Sequence, residues 1–303
     1  MHSTSQIVTI TVISIGAVLG TFSNAFIITV IFHDQNGLLS QSPGNQIQFC
    51  MGLCNLLLQC VMAVEGIAKC LPFSWLGSKE FRSVAHILFY TFVTLSFWLT
   101  AWLCTFYCVT IVRFNHRVMR SLKLRLPDVV LKLFLVTVLV SFCIGLPSII
   151  NVHNKCNQNK TENCMANNNE TTNNVFIRDI QYGLTFLALG SSLPLVLALL
   201  SIGFTVSSLL THIRQMKLNV STVRSHQLEA HYRACRTMTL LIIVYVIFNV
   251  SEGIMAFFTI PNHNVINITA SFIHLYPAAQ AVIVVCGSPK LKNNFSKFFL
   301  CIK

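Results

Sequence analysis

Residues 84–116 read VAHILFYTFVTLSFWLTAWLCTFYCVTIVRFNH, and this stretch decides the fold of the chain. No side chain between Ile87 and Val112 carries a full charge, and that length lets a helix cross a hydrocarbon core of about 30 Å. Hydroxyl groups interrupt the apolar run at Thr91, Thr94, Ser96, Thr100 and Thr105. Because lipid gives a hydroxyl no hydrogen-bond partner and neighbouring helices do, we predict a transmembrane helix that other helices enclose.

Composition indicates a membrane protein. Of the 303 residues, 54% are hydrophobic and only 10% are charged, whereas soluble proteins carry about 25% charged residues. A net charge of +12 is compatible with nucleic-acid binding, but the basic residues stand at the ends of apolar runs instead of covering a surface. We therefore expect an integral membrane protein that binds no nucleic acid, and we interpret the positive charge as a signal of orientation.

The apolar segments predict an all-α bundle of seven transmembrane helices in a single domain, 1–303. Their expected ranges are 7–32, 47–68, 84–112, 129–150, 181–211, 235–260 and 268–287. If the N-terminus is outside, the inner face receives 15 of the 21 Lys and Arg residues and the outer face receives six. This asymmetry favours an external N-terminus and a cytoplasmic tail, 288–303. No positive leader or cleavage site accompanies the first segment, which we expect to be a retained anchor.

The longest external loop, 151–180, contains two glycosylation sequons, at Asn159 and Asn169. These acceptor sites support the external placement of the loop, because modification occurs on that side of the membrane. A third sequon begins at Asn267, close to the predicted start of the seventh segment. We expect modification at Asn159 or Asn169 before Asn267.

Most of the 12 cysteines serve in our interpretation as small apolar fillers. Eight lie in apolar segments: Cys50, Cys54, Cys60, Cys104, Cys108, Cys143, Cys235 and Cys286. Cys156 and Cys164 share the outer loop, where a bridge between them competes with a bridge from either one to Cys70. The sequence has no C-x-x-C motif and no metal-ligand spacing, so we expect neither a metal nor a cofactor.

Two acidic residues lie in the outer thirds of apolar segments, Glu65 and Glu252. An ionisable residue inside a membrane indicates a functional site. Glu65 precedes Lys69 by four residues, the favourable order for a helical ion pair, so a structural salt bridge competes with a ligand-binding role. Glu252 has no basic neighbour on its own helix, and we predict that it faces a ligand pocket.

Trp98 and Trp102 are four residues apart and share one face of the predicted central helix. Two interpretations are open for this pair. The rings either fill the core between helices or form the wall of an apolar ligand cavity, and we favour the cavity.

Several small and amide side chains predict close helix packing. Asn24, Asn55 and Gln59 lie within apolar segments and are expected to form hydrogen bonds between helices. Gly16 and Gly20 form a small-xxx-small pair that permits close approach of two helix backbones. We assign both sets to packing and not to a binding site.

Four short motifs are similar to those of one receptor family. The rhodopsin-like motifs are missing, but residues 208–216 read SLLTHIRQM and residues 229–237 read EAHYRACRT. The end of the seventh segment, 287–292, reads GSPKLK, and residues 106–114 carry Phe-Tyr-x-x-x-Ile-x-x-Phe. Together they resemble the bitter taste receptor family (taste receptor type 2) of G-protein-coupled receptors, and the resemblance covers essentially the whole chain.

The resemblance implies a small-molecule agonist that enters the bundle from outside. By correspondence with the family, Trp98 matches a pocket residue of the third helix, and Trp102 lies one turn further in. Phe248 matches an aromatic switch of the sixth helix, and Glu65 falls on a polar pocket position. With Glu252, these residues are the predicted ligand-binding set.

The resemblance also implies a heterotrimeric G protein of the gustducin or inhibitory class as the partner at the cytoplasmic face. The residues expected to act in coupling are His212, Met216, His231, Arg233, Lys290 and Lys292. We expect a multi-pass protein of the plasma membrane that contacts membrane lipid, and the sequence leaves a receptor oligomer open.

The chain departs from the family pattern at several positions. The usual Leu-Ala-x-Ser of helix two reads MGLC at residues 51–54, and the Ser after the His of helix seven falls on Ala281. Three further departures concern single polar residues. The Arg of helix two falls on Asn55, the His of helix seven on Gln280, and the Asn before Lys-Leu-Lys on Ser288. In the family these positions stabilise the resting or active bundle. The departures imply altered switching in a divergent member, from a non-mammalian vertebrate.

Three other functions were weighed. A vomeronasal type 1 receptor has a similar bundle, but the motifs at 208–216 and 229–237 favour the bitter type. A transporter would show internal repeats or broken helices, which the sequence lacks. No G-x-S-x-G, H-E-x-x-H or P-loop motif occurs, so we do not expect an enzyme.

Overall fold

The structure, a computed structural model, describes residues 4–33, 41–70, 78–112, 132–147, 186–218, 225–257 and 263–301. All regular structure in these ranges is helical. The helices are α1 (Thr4–Phe32), α2 (Pro43–Cys70), α3 (Lys79–Ile111), α4 (Lys132–Gly145), α5 (Leu193–Leu218), α6 (Ser225–Phe257), α7 (His263–Gly287) and α8 (Pro289–Cys301). A π-helical segment, Phe186–Ser192, leads directly into α5.

Six of the described helices are long and apolar enough to cross a membrane: α1, α2, α3, α5 with its π-helical lead, α6 and α7. The described part of α4 is apolar but shorter. Large apolar side chains cover the outside of the bundle, such as Val18 and Leu139, which are 71% and 66% exposed. Because such a surface is stable only against hydrocarbon, the chain is a multi-pass helical membrane protein, as the composition predicts.

The helices extend beyond the apolar ranges because polar residues continue them outside the hydrocarbon. α6 begins at Ser225 instead of 235, since the intervening residues SHQLEAHYRA contain no Gly or Pro to interrupt a helix. α7 similarly begins at His263 instead of 268. Residues after 288, which we expected to form a tail, contain the additional helix α8.

α3 is the central helix, as its hydroxyl content predicts. In the apolar stretch of 18 residues that would cross the membrane, 61% of the α3 residues are buried. The corresponding stretch of the span that contains α5 has 22% buried residues. Ser78 caps the helix by accepting a hydrogen bond from the Phe81 backbone N–H at 3.1 Å. Two of its hydroxyls, on Thr91 and Thr94, have no hydrogen-bond partner within the described ranges. The prediction that helices enclose this segment is therefore confirmed, although not every hydroxyl is bonded.

α1 packs closely against α7 and α2 through its two glycines. A Cβ atom on Gly16 would lie 2.5 Å from Cδ2 of Leu275, and one on Gly20 would lie 3.0 Å from Cβ of Ala278. A Cβ atom on Gly20 would also overlap the Gln59 side chain. Glycine at both positions thus permits the close approach of these helices, as predicted. At Gly16 a methyl group would displace only the end of the Leu275 side chain, whereas at Gly20 it would also press on Ala278.

Amide side chains join the same three helices. The Asn24 amide donates to the backbone oxygen of Pro277 at 3.4 Å, which connects α1 with α7. Thr21 donates to Oε1 of Gln59 at 3.4 Å, which connects α1 with α2. The expected role of Asn24 and Gln59 in hydrogen bonds between helices is confirmed.

Candidate ligand and coupling sites

Four aromatic rings from α3, α6 and α7 meet inside the bundle. They belong to Phe97, Tyr245, Phe248 and Tyr276, and each is at most 2% exposed. Phe97 stacks on Tyr245 with ring centroids 4.1 Å apart, and the Phe248 ring lies 4.8 Å from that of Tyr276. We call these four residues the aromatic cluster. Phe248 contacts rings on two other helices, while its role as a switch stays a prediction.

The π-helical segment is bound to α6 beside the aromatic cluster. The Tyr245 hydroxyl donates to the backbone oxygen of Ser191 at 2.5 Å. The Ser191 hydroxyl donates to Oδ1 of Asn249, and the Asn249 amide donates back to the Tyr245 backbone oxygen at 2.9 Å. Since π-helical turns often occur at functional sites, this contact links an irregular part of the α5 span to the centre of the bundle.

Glu252 lies one turn beyond Phe248 on α6 and faces α3. Its Oε1 accepts a hydrogen bond of 3.2 Å from the Tyr90 hydroxyl. The Tyr90 ring packs edge-on against Phe186, with centroids 4.9 Å apart. The charge of Glu65 on α2 lies within electrostatic range of Glu252. The structure thus brings both predicted acids to the same end of the bundle.

The sequence also predicts an ion pair between Glu65 and Lys69. Lys69 is part of α2, but its side chain lies outside the described residues. The pairing therefore stays a prediction.

The two predicted tryptophans stack on each other, and Trp102 contacts α4. Their rings are nearly parallel, with centroids 5.9 Å apart and an interplanar angle of 29°. Nε1 of Trp102 donates to the Thr137 hydroxyl at 3.2 Å. Nε1 of Trp98 is buried and has no hydrogen-bond partner in the described part of the chain. The pair lies next to Phe97 along α3, and Trp102 also packs against the apolar core that α1, α2, α3 and α7 share. No described ring contact joins either tryptophan to Phe248.

A buried polar network joins α2, α3 and α7 and is centred on Ser96. The Ser96 hydroxyl lies 2.9 Å from Oε1 of Gln280, 3.1 Å from the Tyr276 hydroxyl and 3.2 Å from Oδ1 of Asn55. Nε2 of Gln280 donates to the Thr100 hydroxyl at 2.6 Å. Every member is at most 2% exposed and uncharged. We call these five residues the Ser96 network.

Two of the departures from the family pattern, at Asn55 and Gln280, belong to the Ser96 network. By the correspondence predicted from the sequence, Asn55 stands where the family has the helix-two Arg, and Gln280 stands where it has the helix-seven His. A single hydroxyl, on Ser96, contacts both replacements. A buried charge is costly unless it is paired, so an Arg would need a counter-charge that none of these five residues supplies. The third position, Ser288, is buried between α7 and α8.

The residues expected to act in coupling lie near the C-terminal end of α5, near the N-terminal end of α6 and in α8. Arg233 forms an ion pair of 2.7 Å with Glu229, one turn earlier on α6, and His231 is half-buried. Lys290 is half-buried and Lys292 is exposed. His212 and Met216 are part of α5, but their side chains lie outside the described residues. Their role in coupling stays a prediction.

Most of the predicted outer-loop features fall outside the described residues. These are the sequons at Asn159 and Asn169 and the cysteines Cys156 and Cys164. Asn267 is described, and it lies within α7. The Thr269 hydroxyl of its sequon bonds to the helix backbone at Val265. A helical sequon is a poor substrate for an enzyme that modifies exposed loops, so this placement counts against modification of Asn267.

Sequence reasoning missed Tyr90, Ser96 and Tyr276 as site residues. Ser96 was noted only as a hydroxyl of an enclosed helix. Each of the three is identified by a hydrogen bond to a residue on another helix. The bonded residues are 162 positions apart in the chain for Tyr90, 184 for Ser96 and 180 for Tyr276. A single sequence does not contain that information. No cluster of three metal-binding side chains occurs in the described ranges, and the eight cysteines of the apolar segments are free thiols.

An enclosed central helix, a lipid-exposed exterior and polar groups within the bundle define a multi-pass helical membrane protein. A family model described as Taste receptor protein (TAS2R) matches residues 1–303. The chain therefore belongs to the taste receptor type 2 family of G-protein-coupled bitter taste receptors, and it is a receptor and not an enzyme.

Individual relatives support the same assignment over nearly the full length. Taste receptor type 2 member 9 of Homo sapiens is 24% identical over 312 residues, which cover 100% of this chain and 96% of the relative. Member 41 of Rattus norvegicus is 24% identical, with 99% and 97% covered. Member 7 of Mus musculus is 26% identical, with 94% and 92% covered. The low identity agrees with a divergent member of the family.

Proposed function

We propose that this chain is a receptor of the plasma membrane that detects bitter molecules and crosses the bilayer seven times, with the N-terminus outside. Six described helices have the length of a membrane span, and α4 would supply the seventh if it continues beyond its described part. The orientation is supported by the 15 basic residues assigned to the inner face. This topology puts Glu252 and Tyr90 near the outer surface and Arg233 near the inner one.

The observation that carries the ligand proposal is the contact between Glu252 and Tyr90. It lies at the end of the bundle that this orientation turns outward, one turn from the aromatic cluster. Glu65 adds a second carboxylate in electrostatic range. Two acids in an apolar enclosure repel an anion and attract a cation more strongly than they would in water. We therefore infer a preference for cationic or neutral apolar agonists over anionic ones.

Trp98 and Trp102 are the remaining members of the proposed ligand-binding set. A tryptophan face attracts a cation by about 0.5–2 kcal/mol, depending on how fully the cation is desolvated. The Trp98 indole N–H, which is buried without a described partner, supplies a donor for a ligand oxygen. An agonist that reaches α3 from outside would meet Tyr90 first and Trp98 about two turns deeper.

Binding activates the receptor only if the agonist makes tighter contacts in the active bundle than in the resting one. The elements that connect the outer end to the inner end are the aromatic cluster and the Ser96 network, since both join α3 to α7. We propose that a shift in these contacts moves the inner end of α6, where Arg233 lies. The cytoplasmic face would then bind a heterotrimeric G protein of the gustducin or inhibitory class.

A calcium-imaging screen tests the proposal. Cells that carry a chimeric gustducin-type G protein and the surface-labelled receptor are exposed to bitter compounds grouped as amines, neutral molecules and carboxylates. We expect responses to some amines or neutral compounds, and no response in cells whose G protein lacks the matching C-terminal segment. A receptor that reaches the surface and responds only to carboxylates would contradict the proposed pocket. Activation through an unrelated G-protein class alone would contradict the proposed coupling.

A further inference from the structure

α3 and α4 pack against each other as an antiparallel pair. Nε1 of Trp102 on α3 donates to the Thr137 hydroxyl on α4 at 3.2 Å. Nearer the end of α4, a Cβ atom on Gly145 would lie 2.6 Å from Oγ1 of Thr91. Residue numbers therefore rise along α4 in the direction in which they fall along α3. The α4 residues between these two contacts lie level with the α3 residues between them.

Trp98 and Ser141 are the next pair along this interface. On α3, Trp98 lies one turn from Trp102, and the two rings are nearly parallel. On α4, Ser141 lies one turn from Thr137, so the pairing of an indole with a hydroxyl repeats. In this second pair the two groups form no direct hydrogen bond, and neither Nε1 of Trp98 nor Oγ of Ser141 has a partner in the described ranges.

The Ser141 hydroxyl also differs from other hydroxyls on α3, α4 and α5. Those of Thr105, Thr137 and Ser201 each donate to the backbone oxygen four residues earlier, a common way to satisfy a hydroxyl on a helix. Ser141 is fully buried and forms no such bond within the described part of α4. Because a buried polar group without a partner is costly, Ser141 and Trp98 indicate a partner that bonds to both.

A second hydroxyl borders Trp98 on the side of α5. Thr94 lies one turn before Trp98 on α3 and is fully buried, and its Oγ1 has no partner among the described residues. A Cβ atom on Gly190, in the π-helical segment before α5, would lie 3.2 Å from this oxygen. The unbonded polar groups at this level of α3 and α4 are therefore one indole N–H and two hydroxyls, all uncharged.

Water suits these groups better than an ion or a lipid headgroup does. No charge among them would attract an ion, and Trp98 lies near the middle of α3, far from the helix ends where headgroups lie. An indole N–H only donates a hydrogen bond, whereas a hydroxyl both donates and accepts. A buried water molecule satisfies both kinds of group, since it commonly forms about three hydrogen bonds to polar groups that lack other partners.

We propose that a water molecule binds between α3 and α4, where it accepts a hydrogen bond from Nε1 of Trp98 and donates one to Oγ of Ser141. Thr94 completes the site on the side of the π-helical segment. The water connects α4 to a tryptophan of the proposed ligand-binding set. A ligand oxygen that binds the Trp98 N–H would take the place of this water, but the water site itself does not depend on a bitter response.

Nuclear magnetic resonance of the full-length receptor tests this site. The receptor is isotope-labelled at its indole nitrogens, and Trp98→Phe identifies the Trp98 signal. We expect a cross-peak between the Trp98 indole proton and water, and none for Trp102, which is bonded to Thr137. In Ser141→Val, methyl groups fill the space of the water, so the Trp98 cross-peak should be lost. Ser141→Ala leaves that space open and should keep the cross-peak, because Trp98 and Thr94 still bind water.

The matched control is Thr137→Val, one turn away on α4. It removes the partner of Trp102 and should move the Trp102 signal, while the contact between Trp98 and water stays. A Trp98 indole without a water cross-peak in the unaltered receptor would overturn the inference, as would an undiminished cross-peak in Ser141→Val. Equal loss in Ser141→Ala and Ser141→Val would also overturn it, since the signal would then arise from the Ser141 hydroxyl itself. None of these measurements requires an agonist, so failure of the proposed bitter response leaves the result readable.

Discussion

Glu252 is the residue on which the ligand proposal depends most. Its carboxylate accepts a hydrogen bond from Tyr90. That contact holds the carboxylate in the position where it would bind a cationic ligand. A carboxylate held by one donor still has lone pairs for a second. An ammonium group of an agonist can therefore bind Glu252 without displacing Tyr90.

Replacing this acid with its amide should affect agonists according to their charge. We expect Glu252→Gln to weaken amine agonists by about ten- to a hundredfold, because a hydrogen bond to a charged group contributes roughly 1.5–3 kcal/mol. Neutral agonists should hardly change, whereas Trp98→Ala should weaken both groups. Concentration–response curves in the calcium assay measure the effect. The control is Glu80→Gln, which changes an exposed acid in the first turn of α3. An equal loss for amine and neutral agonists in Glu252→Gln would show a structural role instead.

Gln280 has a different role, because its side chain contacts three other members of the Ser96 network, Ser96, Thr100 and Tyr276. Gln280→Leu removes these hydrogen bonds, although each hydroxyl keeps another partner. A buried hydrogen bond contributes about 0.5–1.5 kcal/mol, so the thermal stability of the purified receptor should fall. A thiol-reactive dye is a suitable reporter, because Cys54 and Cys104 are buried free thiols. Val282→Ala, at an exposed position of α7, should leave the melting temperature nearly unchanged. A Gln280→Leu receptor as stable as wild type would show that the network contributes little.

At the scale of helices, the packing of α1 provides a test with a matched control. Gly20→Ala should destabilise the receptor by about 1–3 kcal/mol, since the new methyl group has no space between α1, α2 and α7. Gly203→Ala places the same methyl group on α5, where no atom lies within 4 Å. The dye assay compares the two variants. Equal melting temperatures would mean that α1 shifts to accept the methyl group.

The inner end of α6 is the helical element we expect to couple to the G protein. Arg233→Gln should reduce signalling more than surface expression, and His212→Ala should do the same. Glu229→Gln removes the same exposed ion pair, which contributes about 0–1 kcal/mol, but keeps the positive charge of Arg233. It should therefore signal nearly as well as wild type. Surface labelling alongside calcium imaging separates the two effects, and a parallel loss of expression and signalling would assign Arg233 to structure alone.

The sequence predicted the helices that cross the membrane more successfully than the contacts between them. Length, lack of charge, hydroxyl content and the spacing of small residues are local properties, and the central position of α3 and the close approach at Gly20 followed from them. The 13-residue α8 was missed because its apolar stripe is narrow and interrupted by lysines. The contact between Tyr90 and Glu252 was missed because it joins residues 162 positions apart, and only the folded bundle brings them together.

At the scale of the whole molecule, orientation decides which face meets the ligand. The expected outer loop contains Asn159 and Asn169, and glycans reach only an external segment. The Asn159→Gln/Asn169→Gln receptor should migrate faster on a gel and reach the surface less well than wild type. Asn267→Gln is the control and should migrate like wild type, because Asn267 lies within α7. If glycosidase treatment does not change the migration of the wild-type band, either the proposed orientation or the assignment of these sequons is wrong.

The stacked tryptophans also have a spectroscopic consequence. Two of the chain's three tryptophans lie 5.9 Å apart and nearly parallel, close enough for their electronic transitions to couple. Such a pair gives a strong near-ultraviolet circular dichroism signal that depends on the angle between the rings. Trp102 is hydrogen-bonded to α4, so a movement of α4 against α3 would change that angle. The receptor thus contains its own optical reporter of the α3–α4 interface, which can be followed in detergent without a label while agonist is added.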